Sequence, residues 1–565
     1  MKSTSVIFLF LFILQLSHQT ISENVEPELT LSSGSIRGTS VDFRGVKVYQ
    51  FLGIPFAEPP LNELRFQKPV PKKPWNGVLS VNKWMQIYCM QPVFPGFNME
   101  LPISEDCLIL NVFTTEAAFQ DRKNGKKNSL RPVMVWIHGG GFNFDSANIP
   151  GQYDGTPITG LKDVIIVSLN YRLSSLGFLH LPEAGVPGNM GLWDQQLALK
   201  WVKDNIEHFG GDPNSVTIFG ESAGSMSVSA HLVSPQSKGL FKNAIMQSGS
   251  IYDINRWTQP GLVKNFLSKI DCTSDDYKSC LSNYRFGQFP EADGLLFWPT
   301  VDGEFLPNHP EELVSNHGVD PNVNVLLGAV GNEGAVMLLM KDMVTFHPLN
   351  PVNLTIPHAK YIIGKLFGKK LIDFYSERYL ASLPADASDA IRLAVTQALG
   401  DTILTCPTYA FGRDLIASGV PNVYGYFQTQ KPTQALVPEF SQAGWMTNIA
   451  SHADDIPMVF GYPFIKLDKF NNEDVVLSFL MIDIWTKFAR DGKPPQISHR
   501  EWLPWNLSGS TPYPSMVLNS NKIGLIETKS VEFCIQNWPF PLEKQYNLNS
   551  ETGVYAKMVE DHDEL

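Results

Sequence analysis

The chain has 565 residues and carries 44 Lys and Arg against 56 Asp and Glu, a formal net charge of -12. With no basic stripe, that balance speaks against a nucleic-acid partner, and 43 % hydrophobic with 18 % charged residues speaks against disorder. No linker-like composition, repeat or low-complexity tract divides the sequence, so one large domain is expected.

At the N-terminus Lys2 precedes an apolar run from Val6 to Leu16 and then Ser17-His18-Gln19, the layout of a cleavable secretory signal over residues 1–21. The run is too short to span a bilayer, which takes about twenty apolar residues. Residues 22–561 then form the folded domain. The six cysteines in an oxidising compartment imply three disulfides. Pairing by neighbours joins Cys89 to Cys107 and Cys272 to Cys280, leaving Cys406 for Cys534 unless those two remain buried thiols. None has the C-x-x-C spacing of a zinc site, so no metal is expected.

An apolar strand, Val133 to Ile137, runs into His138-Gly139-Gly140-Gly141-Phe142. Three glycines leave backbone N–H groups unshielded by side chains, the oxyanion-hole pattern of esterases and lipases. A second apolar strand follows from Val164 to Leu169. From Asp194 to Phe209, Leu197, Ala198, Trp201, Val202, Ile206 and Phe209 share one helical face. The run Val216 to Phe219 then enters Gly220-Glu221-Ser222-Ala223-Gly224, a nucleophile elbow in which glycines on either side of the serine allow a sharp strand-to-helix turn. The alternation predicts an α/β fold: a large, mainly parallel central sheet flanked by helices, with the site at the carboxyl ends of the strands. The nucleophile is Ser222, and the oxyanion donors are the N–H groups of Gly140, Gly141 and Ala223.

Asn353-Leu354-Thr355 and Asn506-Leu507-Ser508 are glycosylation sequons, placing glycans at Asn353 and Asn506. Val475 to Phe488, interrupted by Asp483 and Lys487, reads as an amphipathic helix of the fold. The last four residues, 562–565, are His-Asp-Glu-Leu, an address read by the endoplasmic reticulum retrieval receptor.

With these motifs, Phe51-Leu52-Gly53-Ile54-Pro55-Phe56-Ala57, Arg65-Phe66, Ser104-Glu105-Asp106-Cys107-Leu108, Asn170-Tyr171-Arg172 and Gly188-Asn189-Met190-Gly191-Leu192-Trp193-Asp194-Gln195, the chain resembles the type-B carboxylesterase and cholinesterase family of α/β-hydrolases almost end to end. The resemblance implies a serine esterase acting on small-molecule esters, without cofactor, as a monomer or homodimer. It implies Glu333, before Gly334, as the acid and His452, before Asp454-Asp455 and Phe460-Gly461, as the base. It also places Glu221 and Ser248 around the site and pairs Arg65 with Glu105. Cholinesterases of this family grip the quaternary ammonium with a Trp in the loop matching Met90 to Asp106, which here contains Phe94 and Phe97 but no Trp. Trp445 is a candidate gorge residue, and Leu295-Leu296-Phe297-Trp298 a bulky acyl-side wall. The expected enzyme is therefore a luminal or secreted carboxylesterase of broad ester specificity, with a cholinesterase-like enzyme as the alternative and a non-catalytic binding protein as a third.

Overall fold

The computed structural model describes residues 26–539 apart from 93–101, 127–128, 254–260, 273–275, 284–295, 343, 437–440, 447–448, 510 and 525. The signal segment, Phe94, Phe97, Leu295 and the C-terminal tetrapeptide lie outside the described residues.

Eleven strands form the main sheet: β1 (Thr39–Phe43), β2 (Val46–Pro55), β3 (Ile109–Thr115), β4 (Arg131–Ile137), β5 (Ile165–Leu169), β6 (Gly211–Glu221), β7 (Asn243–Gln247), β8 (Asn324–Val330), β9 (Val423–Gln428), β10 (Ser515–Leu518) and β11 (Ile526–Glu527). Their order is 11-10-9-8-7-6-4-5-3-2-1. The ladders from β10 through β5 are parallel, whereas β11 and the β3-β2-β1 edge pair antiparallel. The sheet is thus mainly parallel, with antiparallel margins.

Strand β4 explains how the sheet is covered on both faces. Its side chains alternate, Val133, Val135 and Ile137 joining one core and Met134 and Trp136 the other, as the two-residue period of a strand requires. Both faces being apolar, the strand reads as an unbroken hydrophobic run. On the first face lie α1 (Met190–Asn205) and α2 (Ala223–Val233), contributing Leu199, Val202 and Val228; on the second lies α6 (Asn472–Asp491), contributing Met481, Trp485 and Phe488. Between them in sequence are α3 (Gly334–Lys341), α4 (Ser388–Gly400) and α5 (Cys406–Ala417).

The boundaries of two helices differ from the sequence reading, each for a local reason. Helix α1 begins at Met190 rather than Asp194, after Asn189 in a left-handed conformation, and tightens to a 3-10 turn at Ile206–Phe209 before Gly210. Helix α6 extends beyond Val475 and Phe488 because Asn471 and Asp474 form a capping box at its start and Gly492, at φ 71°, ends it.

Three disulfide bonds join Cys89 to Cys107, Cys272 to Cys280 and Cys406 to Cys534, chemistry that belongs to an oxidising compartment. Among the described residues no helix is long and apolar enough to cross a membrane, and no cluster of His, Cys, Asp and Glu has the arrangement of a metal site. Asn353 and Asn506 are exposed.

Candidate active site

From β4 the chain passes to β5 on one side and then to β6 on the other, so the order reverses beside β4. In such sheets the crevice opens at the carboxyl ends flanking the reversal. The glycine loop leaves β4 and the Ser222 turn leaves β6 at that point, with Gly220 paired to Ile137.

Ser222 has φ 57° and ψ -123° between β6 and α2, a strained conformation for a residue with a side chain. It can form because Gly220 and Gly224 let backbones close in. A Cβ on Gly220 would lie 2.6 Å from the Ile137 oxygen and the Gly224 carbon, and one on Gly224 would lie 2.1 Å from the Ile137 oxygen. The Ser222 N–H donates to the Gln247 carbonyl at 2.9 Å, holding the turn to β7. Ser222 is 8 % exposed.

The glycine loop passes directly over this turn, since a Cβ on Gly139 would sit 3.2 Å from Ser222 Cβ. Its peptide planes are pinned by their carbonyls. The Gly140 carbonyl accepts from the N–H groups of Asn143 (2.9 Å) and Phe144 (3.0 Å), and the Gly139 carbonyl accepts from His138 Nδ1 (3.1 Å) and the Tyr171 hydroxyl (3.4 Å). In a trans peptide the N–H points opposite its C=O, so the Gly140 and Gly141 donors face away from those anchors. These two N–H groups and that of Ala223 make no hydrogen bond among the described residues. Burial pushes His138 down to about 4, keeping it neutral beside Tyr171, whose ring stacks on it.

Glu333 follows β8 and is fully buried. Its Oε1 accepts the Val330 N–H at 2.8 Å and its Oε2 pairs with His452 Nδ1 at 2.7 Å. That bond places the proton on Nδ1. Nε2 faces Glu221 Oε1 at 3.1 Å, and Ser222 Oγ makes no hydrogen bond to His452 among the described residues. Burial pulls the His452 pKa down, but Glu221, Glu333 and Asp455 outweigh it and carry it up to about 9. Burial pushes the Glu221 carboxyl well above the usual range, against the pull of His452. The charge on each group shifts the other, so the two titrate as a coupled pair.

The remaining sequence candidates take these places. Ser248, at φ 59°, donates its N–H to the Gly328 carbonyl, while its buried Oγ has no partner among the described residues. Arg65 binds Glu105 in two contacts of 2.7 and 2.6 Å. Trp298 packs edge-on to Phe142, with Cη2 3.7 Å from where a Gly141 Cβ would be. Trp445 is packed in the core, its indole N–H donating to the His347 carbonyl at 3.2 Å. Asp455 accepts from Gln247 Nε2 at 2.8 Å, behind the histidine.

Gln247, Tyr171 and Asn143 were missed by sequence reasoning. Gln247 braces the elbow through its carbonyl and Asp455 through its amide. Asn143 exchanges two 3.1 Å bonds with Phe297, tying the glycine loop to the Trp298 segment. Tyr171 lay within the Asn170-Tyr171-Arg172 motif, the only one of the three with a sequence signal.

A mainly parallel sheet with a serine elbow and a glycine loop at its switch point defines the α/β-hydrolase class. The family model for the carboxylesterase family matches residues 25–534, and the chain belongs to that family; it is a carboxylic ester hydrolase of the serine type. Among similar proteins, acetylcholinesterase of Leptinotarsa decemlineata is 34% identical over 87% of this chain and 82% of its own length. Cholinesterase of Mus musculus is 34% identical over 87% of this chain and 83% of its own. Pyrethroid hydrolase Ces2e of Rattus norvegicus is 32% identical over 86% of this chain and 84% of its own.

Proposed function

We propose that the chain hydrolyses carboxylic esters through an acyl-enzyme on Ser222, with His452 as general base and acid and Glu333 as its partner. The observation that carries this reading is the 2.7 Å bond from His452 Nδ1 to Glu333, in a site where a strained serine lies against the glycine loop and the N–H groups of Gly140, Gly141 and Ala223 are unpaired among the described residues. When Glu221 holds a proton and His452 is neutral, Nε2 is bare, and a small turn from Glu221 toward Oγ lets it take the serine proton as substrate seats. Oγ attacks the ester carbonyl, and the N–H groups of Gly140, Gly141 and Ala223 hold the oxyanion, each worth about 3 kcal/mol. The imidazolium, stabilised by Glu333, gives its proton to the leaving alcohol. Water, deprotonated by the same nitrogen, then releases the acid and restores Ser222.

Because base catalysis needs neutral His452, the acid limb of kcat/KM against pH follows the His452 pKa in the free enzyme. Glu221 raises that pKa. Glu221→Gln is therefore expected to move the acid limb down by about 1 to 3 pH units, measured between pH 5 and 10; an unmoved limb would place Glu221 out of contact with the working base.

For substrate, neutral esters of broad structure are the first reading, supported by the absence of a Trp from the loop matching Met90 to Asp106. The second is choline esters, favoured by the names of two of the relatives above and by a buried carboxylate, Glu221, beside the reaction centre. Acetylthiocholine and its uncharged 3,3-dimethylbutyl thioester decide between them. Comparable kcat/KM on the two is expected, and a strong preference for the cation would make choline esters the substrate. Residues 1–21 act as a secretory signal, and residues 562–565 return the glycosylated enzyme to the endoplasmic reticulum lumen through the retrieval receptor.

A further inference from the structure

Asn332 lies one residue before Glu333 and is buried. It has contacts in three directions. Its main-chain N–H donates to the Ala450 carbonyl at 2.9 Å, and it pairs with Ser451, the residue before His452, in an isolated parallel bridge. Its side-chain Nδ2 donates to Thr396 Oγ1 at 2.9 Å and to the Leu393 carbonyl at 3.3 Å, both on α4. Thr396 in turn gives its hydroxyl proton to the Leu393 carbonyl at 2.9 Å, so an oxygen lone pair is turned to the Asn332 amide.

The same Thr396 meets the acid loop a second time. A Cβ on Gly334 would lie 2.0 Å from the Thr396 carbonyl oxygen, so the helix backbone abuts the residue after Glu333 while the threonine hydroxyl holds the residue before it. Gly400, one helical turn on, closes the other side, where an added Cβ would lie 2.8 Å from Glu333 Cβ. Asn332 Oδ1 is buried with no hydrogen-bond partner among the described residues.

We infer that Asn332 is a positioning residue for the reaction, the clamp that holds the Glu333 loop to the His452 loop and seats both on α4. The inference rests on the assignment of Glu333 and His452 above. Glu333 and His452 lie 119 residues apart in sequence, so their alignment depends on contacts between the two loops. Asn332 supplies the loop-to-loop contact through its backbone and ties its own loop to α4 through its side chain. With the amide gone, Glu333 can drift on its loop, and the bond to Nδ1 lengthens. Less negative charge at Nδ1 then lowers the basicity of Nε2.

The test uses Asn332→Ala, Thr396→Val and the double variant, each in the full mature protein. Thr396→Val removes the nearer of the two acceptors while changing no residue of either loop, and carries the test if Asn332→Ala does not fold. For Asn332→Ala, kcat is expected to fall by about 10- to 100-fold with KM within about twofold and the acid limb moved to lower pH. Thr396→Val should do the same to a smaller degree, and the double variant should be no worse than Asn332→Ala. Proton NMR of the substrate-free protein supplies a readout independent of turnover. The resonance of the His452 Nδ1 proton, far downfield in the wild type, should shift or broaden in both single variants. A loss of thermal stability alone, with the resonance and the acid limb unmoved, would overturn the clamp and make Asn332 a packing residue. If the wild type hydrolyses no ester, the esterase reading fails, while the resonance still decides the clamp.

Discussion

Ser222→Ala lowers kcat by about 10^4- to 10^6-fold and leaves the fold intact, as stopped-flow ester hydrolysis and thermal unfolding of the variant will establish. The size follows from what remains. The donors of Gly140, Gly141 and Ala223 and the His452–Glu333 pair still polarise a bound ester, but no atom is left to form the acyl-enzyme, and residual turnover is limited to water attack. The fold survives because Ser and Ala share the same Cβ, so the positive φ at position 222 costs alanine no more than serine. The hydroxyl donates no hydrogen bond among the described residues that alanine would forfeit.

The largest effect on stability is expected at Asp194. Its carboxylate meets Arg172 through contacts of 2.8 and 2.7 Å and accepts the Arg172 main-chain N–H at 3.0 Å, with both side chains buried. Arg172 Nη1 already lacks a partner among the described residues. Asp194→Ala strands a guanidinium that cannot shed its charge, and a loss of about 3 to 5 kcal/mol is expected. Arg172→Met is milder. Burial already lifts the Asp194 pKa, so the lone carboxyl can take up a proton and become neutral. Thermal or urea unfolding of the two variants gives the comparison, and equal losses would contradict it. The Asp194 variant also loses activity while folded. Arg172 adjoins Tyr171, and the Tyr171 hydroxyl holds the His138 carbonyl at 3.0 Å and the Gly139 carbonyl at 3.4 Å, so loosening one anchor slackens the oxyanion loop.

The parts of this site that could be read from sequence are those written in local chemistry. Glycines at 220 and 224 and at 139 to 141 announce close approach; four of them lie within contact distance of another backbone, and Gly141 instead faces the Trp298 ring. The apolar runs at β4, β5 and β6 announce buried parallel strands. Glu333 and His452 were legible only through family resemblance, because a lone Glu-Gly or His-Ala carries no signal of its own. The antiparallel β3-β2-β1 edge was not foreseen, as β2 pairs with β3 across the separation between Val48 and Thr115. Glu221 was placed around the site by resemblance, though not turned to His452 Nε2; Gln247 bracing Asp455 and Asn332 reaching α4 had no such signal. Each is an ordinary polar residue in sequence, and its role arises from a contact that tertiary packing alone creates.

The most direct measurement treats the mature protein with a fluorophosphonate ester and maps the adduct by peptide mass spectrometry. Stoichiometric modification of Ser222, with parallel loss of esterase activity and no adduct in Ser222→Ala, is the expected result. An adduct on another residue, or full turnover with Ser222 unmodified, would contradict the account.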